Sequence, residues 1–168
     1  MEVSLCKFQI GDFVRYFGNV TYVDETNPKI GMVVGIRTLD GQPYFYDIVD
    51  TSNIVEVITS DIVESVYATK VMPIGINADI LVALGFNRLG KTNSYRYEEV
   101  YDRSNRDYAQ IDYYLDFPDK TSVVRHTDSD GANPYKHNAY NGFVSYVHEL
   151  QHIARILKFN KELKLNIK

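Results

Sequence analysis

The Asp40-Gly41 pair limits the fold of this chain more than any other feature. It separates two runs of strand-forming residues, Gly31-Met32-Val33-Val34-Gly35-Ile36-Arg37 and Tyr44-Phe45-Tyr46-Asp47-Ile48-Val49. Asp and Gly both tolerate the positive φ that a two-residue hairpin turn needs, so the pair predicts an antiparallel hairpin. Period-two alternation then assigns faces. With Arg37 and Asp47 toward water, Met32, Val34 and Ile36 are expected on one core face and Tyr44, Tyr46 and Ile48 on the facing one. The same alternation turns Phe45 outward beside Asp47, near Phe13. An outward aromatic motivates Phe13 and Phe45 as interaction residues, for self-association or for a protein partner.

The hairpin lies within a longer series of short strands and turns. Ile10-Gly11-Asp12 leads into Phe13-Val14-Arg15-Tyr16, followed by a polar loop through Asp24, Glu25, Asn27 and Pro28. Further strands are expected at Asn53–Ile58 and Val63–Tyr67, with a turn at Thr59–Ile62 between them. This order of Gly-Asp-Phe-Val-Arg, loop, Gly-Met-Val-Val-Gly-Ile, hairpin and Tyr-Phe-Tyr-Asp-Ile resembles SH3-like barrels of the KOW and chromo-barrel kind. The resemblance implies an SH3-like barrel over residues 1–70. It is nearly silent on function, because such barrels bind peptides, nucleic acids or neighbouring subunits.

Met72-Pro73-Ile74-Gly75 reads as a connector to a second domain, residues 71–168. Asn77 is a good N-cap for a short helix over Ala78–Leu84, which Gly85 closes, leaving Phe86 to fold back on Leu81 or Val82. Tyrosine-rich runs at Ser94–Asp102 and Tyr108–Phe117 predict a second hairpin, and Ser122–Arg125 a further strand. His126–Asn141 is dense in Asp, Gly, Asn and Pro and is expected to be loop. A helix from Phe143 to Lys158 follows, with Phe143, Tyr146, Val147, Leu150, Ile153, Ala154 and Leu157 at spacings of three and four. Lys161–Ile167 alternates and is expected to return as a strand. The fold class is therefore α+β: a small barrel, then a small antiparallel sheet packed against a C-terminal helix.

Charge narrows the function classes. The net charge of −4 has the wrong sign for neutralising many phosphates, and residues 1–70 hold five Lys and Arg against ten Asp and Glu. A nucleic-acid accessory role is the least favoured reading. Apolar residues at 45% supply enough side chains for a core, while no apolar run approaches the roughly 20 residues of a membrane span. A single cysteine, Cys6, and a start without a leader pattern lead to the expectation of a cytoplasmic protein with an inert thiol.

One motif carries chemistry. His148-Glu149-Leu150-Gln151-His152 is an HExxH sequence inside the predicted helix. Histidines at i and i+4 share a helical face and can both reach zinc, while the glutamate polarises the bound water as general base. A zinc-dependent hydrolase with ligands His148 and His152 and base Glu149 is one reading. Against it, both histidines fall about 160° from Leu150 on the helical wheel, where a surface helix keeps polar residues. In addition, the metzincin continuation of glycine and a third histidine is replaced by Arg155 and Lys158. A third ligand has to come from His126, Asp128, Asp130 or His137. The reading adopted is a solvated or locally hydrogen-bonded helix face, with no metal and no catalytic residue.

Ile74-Gly75-Ile76-Asn77-Ala78-Asp79-Ile80-Leu81, then Leu84-Gly85-Phe86, and finally Tyr146-Val147-His148-Glu149-Leu150-Gln151 resemble the ending of uncharacterised proteins of gut Bacteroidetes and their tailed phages, crAss-like phages included. Here Gly75-Ile76-Asn77 replaces that family's Pro-Leu-Thr helix cap. The resemblance implies a phage-encoded protein, in the host cytoplasm or the virion, and brings no activity with it. Asp128-Ser129-Asp130-Gly131 starts like a calcium loop, but Ala132 and Ala139 occupy the fifth and twelfth positions, so it reads as a turn. Tyr95, Tyr97, Tyr101, Tyr113 and Tyr114 read as cross-strand packing residues. The combined expectation is a non-enzymatic interaction protein: a virion component or a binder of a host factor.

Overall fold

A computed structural model of the chain describes residues 8–18, 28–50, 63–102, 107–127, 136–159 and 161–166. The chain divides into two compact units, residues 1–74 and 75–166, each built on a five-stranded antiparallel sheet. With one long helix among the described residues, the class is α+β.

The first unit contains β1 (Phe13–Tyr16), β2 (Lys29–Leu39), β3 (Gln42–Asp50), β4 (Val63–Tyr67) and β5 (Val71–Pro73), in the sheet order β4-β3-β2-β1-β5. Among the described residues no pair closes this sheet into a barrel. The β2–β3 turn has Asp40 at φ 50° and Gly41 at φ 75°, with Leu39 opposite Gln42, which is the two-residue hairpin expected from Asp-Gly. Met72-Pro73, expected as a connector, is part of β5, where Met72 pairs with Arg15 and Pro73 with Val14. Proline suits this place because β5 ends the sheet order and has β1 as its one ladder neighbour among the described strands. The strand expected at Asn53–Ile58 and the turn after it lie outside the described residues.

The assignment of faces needs correction. Val33 is fully buried, whereas Met32 and Val34 are only partly so. The cause is a bulge: Val33 faces Ile48 and Gly35 faces Asp47, leaving Val34 as an extra residue. Past it, Ile36 faces Tyr46 and rejoins the core, which contains Val14, Tyr16, Val33, Tyr46, Ile48 and Val66. Before it the core-facing residues are Gly31 and Val33. A Cβ on Gly31 would lie 2.4 Å from Ile48 Cγ2 and 2.7 Å from the Val49 carbonyl oxygen, so that crossing admits only glycine.

The second unit contains α1 (Ala78–Ala83), β6 (Asn87–Arg88), β7 (Ser94–Asp102), β8 (Asp107–Tyr114), β9 (Thr121–Thr127), β10 (Lys136–Gly142) and α2 (Val147–Ile156). The strands run β10-β9-β8-β7-β6. Asn77 Oδ1 accepts the Ile80 N–H at 2.9 Å and caps α1. At its other end Gly85, at φ 89°, donates to the Val82 carbonyl and Phe86 to that of Leu81, a Schellman ending with Phe86 buried. The segment expected to be loop contains β10, whose residues 136–142 pair with residues 121–127 of β9. Pairing with an existing strand overrides the low strand propensity of Asn and Gly here. Residues 161–166 form no strand, although Leu163 and Leu165 are buried as their alternation requires.

Helix α2 starts at Val147, four residues later than its periodicity suggests. Val144 donates to the Pro118 carbonyl, Ser145 accepts from Ile76, and Tyr146 forms a bridge with Gly75. These bonds keep residues 144–146 out of the helix, with Tyr146 extended, and Phe143 is exposed ahead of it. At the C-terminal end Lys158 takes φ 58° while Phe159 donates to the Ala154 carbonyl. A lysine thus fills a position that favours glycine.

Candidate functional site

Two groups of residues were candidates from the sequence, the outward aromatic of the hairpin and the HExxH helix. On the first unit, Phe45 is half-buried within a cluster that alternation did not foresee. A second irregularity in the β2–β3 ladder places Arg37 opposite Phe45 and Thr38 opposite Pro43, so Tyr44 is the extra residue. Tyr44, expected in the core with Tyr46, is consequently 46% exposed. Tyr67, on β4, faces Phe45 directly in the ladder and is 43% exposed. The Phe45 and Tyr67 rings lie 4.4 Å apart at 34°. Tyr44 stands perpendicular to both, at 4.8 Å and 5.7 Å.

The Arg37 guanidinium covers the Phe45 ring at 5.0 Å and also donates to Asp47 Oδ1 at 2.8 Å. The Ser65 hydroxyl donates to the same oxygen at 2.6 Å. Ser65 first and Arg37 second hold the Asp47 carboxyl below its usual range. Phe13 does not join this surface. It is 3% exposed, and its strand is separated from β3 by β2. Parity along one strand cannot see that both faces near Phe13 are covered.

On α2 the structure revises the wheel. Val147, His148, Leu150, Gln151 and Ala154 are buried, an arc of about 160° centred near Gln151 rather than Leu150. Gln151 enters the interior because its Nε2 donates to the Leu163 carbonyl at 3.2 Å. Moving the centre brings His148 inside, at 8% exposure, and leaves Ile156 outside at 75%. His148, expected on a solvated face, is therefore a buried residue, while His152 is half-buried. The Tyr146 ring stacks on His148 at 5.8 Å, and the His152 ring meets it edge-on at 5.6 Å.

Glu149 Oε2 accepts the N–H groups of Ser145 at 2.8 Å and Tyr146 at 3.0 Å. The carboxylate thus caps the N-terminus of its own helix, where the helix dipole also favours negative charge. That charge, after burial, helps push the Tyr113 hydroxyl up to about 12. Backbone register sets His137 opposite His126 in the β9–β10 pair, while Asp128 and Asp130 lie outside the described residues. Among the described residues no group of three His, Cys, Asp or Glu side chains is placed to hold a metal.

A further polar group was not singled out from the sequence. Glu99 is buried, accepts both the Tyr97 and Tyr101 hydroxyls, and is reached by the Lys161 N–H at 3.4 Å. Burial, then the bond to Glu99, pushes the Tyr97 hydroxyl up. Tyr97 also borders a cavity of about 530 Å³ with Gly85, Lys161 and Lys164 on its wall. Alternating tyrosines in β7 were the available signal, and the packing reading accounts for Tyr95 and Tyr113, a buried cross-strand pair. No described helix is long and apolar enough to cross a membrane. Compared with protein-family models, with curated proteins and with solved structures, the chain matches none.

Proposed function

We propose that this chain is a non-enzymatic interaction protein of the phage-encoded kind its C-terminal motifs resemble, a virion component or a binder of a host factor. Its first unit is read as an SH3-like barrel. Supporting that are the meander order β4-β3-β2-β1-β5, the 3-10 turn Ala68–Lys70 between β4 and β5, and the return of β5 onto β1. The observation that carries the interaction reading is the pair of exposed rings Tyr44 and Tyr67 packed around half-buried Phe45. Three aromatic rings held together at the surface offer apolar area at little cost in side-chain entropy.

Site-specific photo-crosslinking tests it. A photoreactive phenylalanine at Tyr44 or at Tyr67 should give the same discrete adduct in producing cells, and one at Asp79 should not. Adduct formed equally from all three positions, or from none, overturns the reading.

The alternative is a zinc-dependent hydrolase. In its favour, the rings of His148 and His152 lie 5.6 Å apart on adjoining turns. Against it, the Glu149 carboxylate is committed to the backbone at Ser145 and Tyr146.

A further inference from the structure

Resting on that interaction reading, we propose that the corner formed by Tyr44, Phe45 and Tyr67 receives a cationic side chain, and that the partner docks through an arginine-bearing protein segment. The Phe45 and Tyr67 planes are tilted by 34° to each other and Tyr44 stands perpendicular to both, so π faces are presented in different directions. The face of an aromatic ring is the negative part of its quadrupole and attracts a cation within about 6 Å. This surface already holds one: the Arg37 guanidinium sits 5.0 Å from the Phe45 centroid. Tyr44 and Tyr67, the more exposed members, offer the same chemistry to a guanidinium from outside.

Charge points to the same partner. Residues 1–70 carry twice as many acidic as basic side chains, so the unit attracts a basic segment at long range and repels a phosphate backbone. Arginine suits the corner better than lysine, because its planar guanidinium is weakly hydrated and stacks on rings. A second copy of the chain and a single-stranded nucleic acid are the competing occupants, and the experiment separates them.

The full chain is titrated with a fluorescein-labelled nonapeptide of alternating arginine and glycine. A matched peptide carries citrulline in place of arginine, which keeps the planar shape but exchanges one donor NH2 for a carbonyl oxygen and removes the charge. The arginine peptide should bind at least about fivefold more tightly, the factor that about 1 kcal/mol of cation–π attraction supplies. The double variant Tyr44→Leu/Tyr67→Leu, which keeps apolar area but loses two π faces, should lose most of that preference, and Tyr44→Phe/Tyr67→Phe should retain it. Equal binding of the two peptides, or an undiminished preference in the leucine variant, overturns the proposal, as does tighter binding of a labelled oligothymidine. The same holds for self-association in sedimentation that the leucine variant abolishes. If the arginine preference is missing while crosslinking at positions 44 and 67 persists, the interaction reading survives and the cationic one fails. If both are missing, both fail.

Discussion

The aromatic corner of the first unit and the HExxH helix of the second both carry residues that binding sites use, yet they relate to their own folds in opposite ways. On the helix, the motif residues are largely occupied by the structure: Glu149 caps the backbone, and His148 is buried under Tyr146. On the sheet, Tyr44 and Tyr67 keep almost half their surface although both pack against Phe45, whose ring Arg37 covers. A motif with known chemistry can thus serve local stability, while residues without any motif form the exposed ordered surface. What separates the two is burial and hydrogen-bond commitment.

The largest expected effect tests whether α2 owes its stability to its buried arc or to its histidines. Leu150→Ala should cost about 2–5 kcal/mol through a cavity, and half-buried His152→Ala less than about 1 kcal/mol. Urea titration followed by far-UV circular dichroism measures both. Protein purified without chelator should contain far less than one equivalent of zinc. Stoichiometric zinc lost in His152→Ala would reverse the comparison and make the helix the functional region.

On the sheet, the bulge makes a prediction opposite to simple alternation. Val33→Ala should cost about 1–3 kcal/mol, because that side chain is fully buried, and Val34→Ala less than half as much. Equal losses would mean that the register slip at Val34 is not present in solution.

Smaller effects separate capping from catalysis at Glu149. Glu149→Ala should lose about 1 kcal/mol, whereas Glu149→Gln keeps a carbonyl oxygen for the Ser145 and Tyr146 N–H groups and should lose less. Were the residue a general base, Gln would be as damaging to any hydrolytic activity as Ala. Lys158→Gly should raise stability by about 1 kcal/mol, since glycine relieves the left-handed strain at φ 58°. A thermal melt reads this last change, and no gain would show that the lysine side chain offsets the strain.

Local signals were legible wherever neighbouring residues decide the conformation. Asp40-Gly41 specified its turn, Asn77 and Gly85 bounded α1, and the tyrosine runs located β7 and β8. These depend on φ preferences and on hydrogen bonds spanning a few residues, which the chain carries in its own composition. What only the tertiary structure decided depends on partners distant in sequence. The β2–β3 ladder slips twice, once at Val34 and once at Tyr44, exchanging which residues face the core. The side chain of Gln151 is drawn inside by the carbonyl of Leu163, which recentres the buried arc and takes His148 with it. Tyr67 joins Phe45 because β4 lies beside β3. Periodicity along one segment determines which residues can share a face. Whether that face is covered depends on what the rest of the chain lays against it, and no local pattern encodes that.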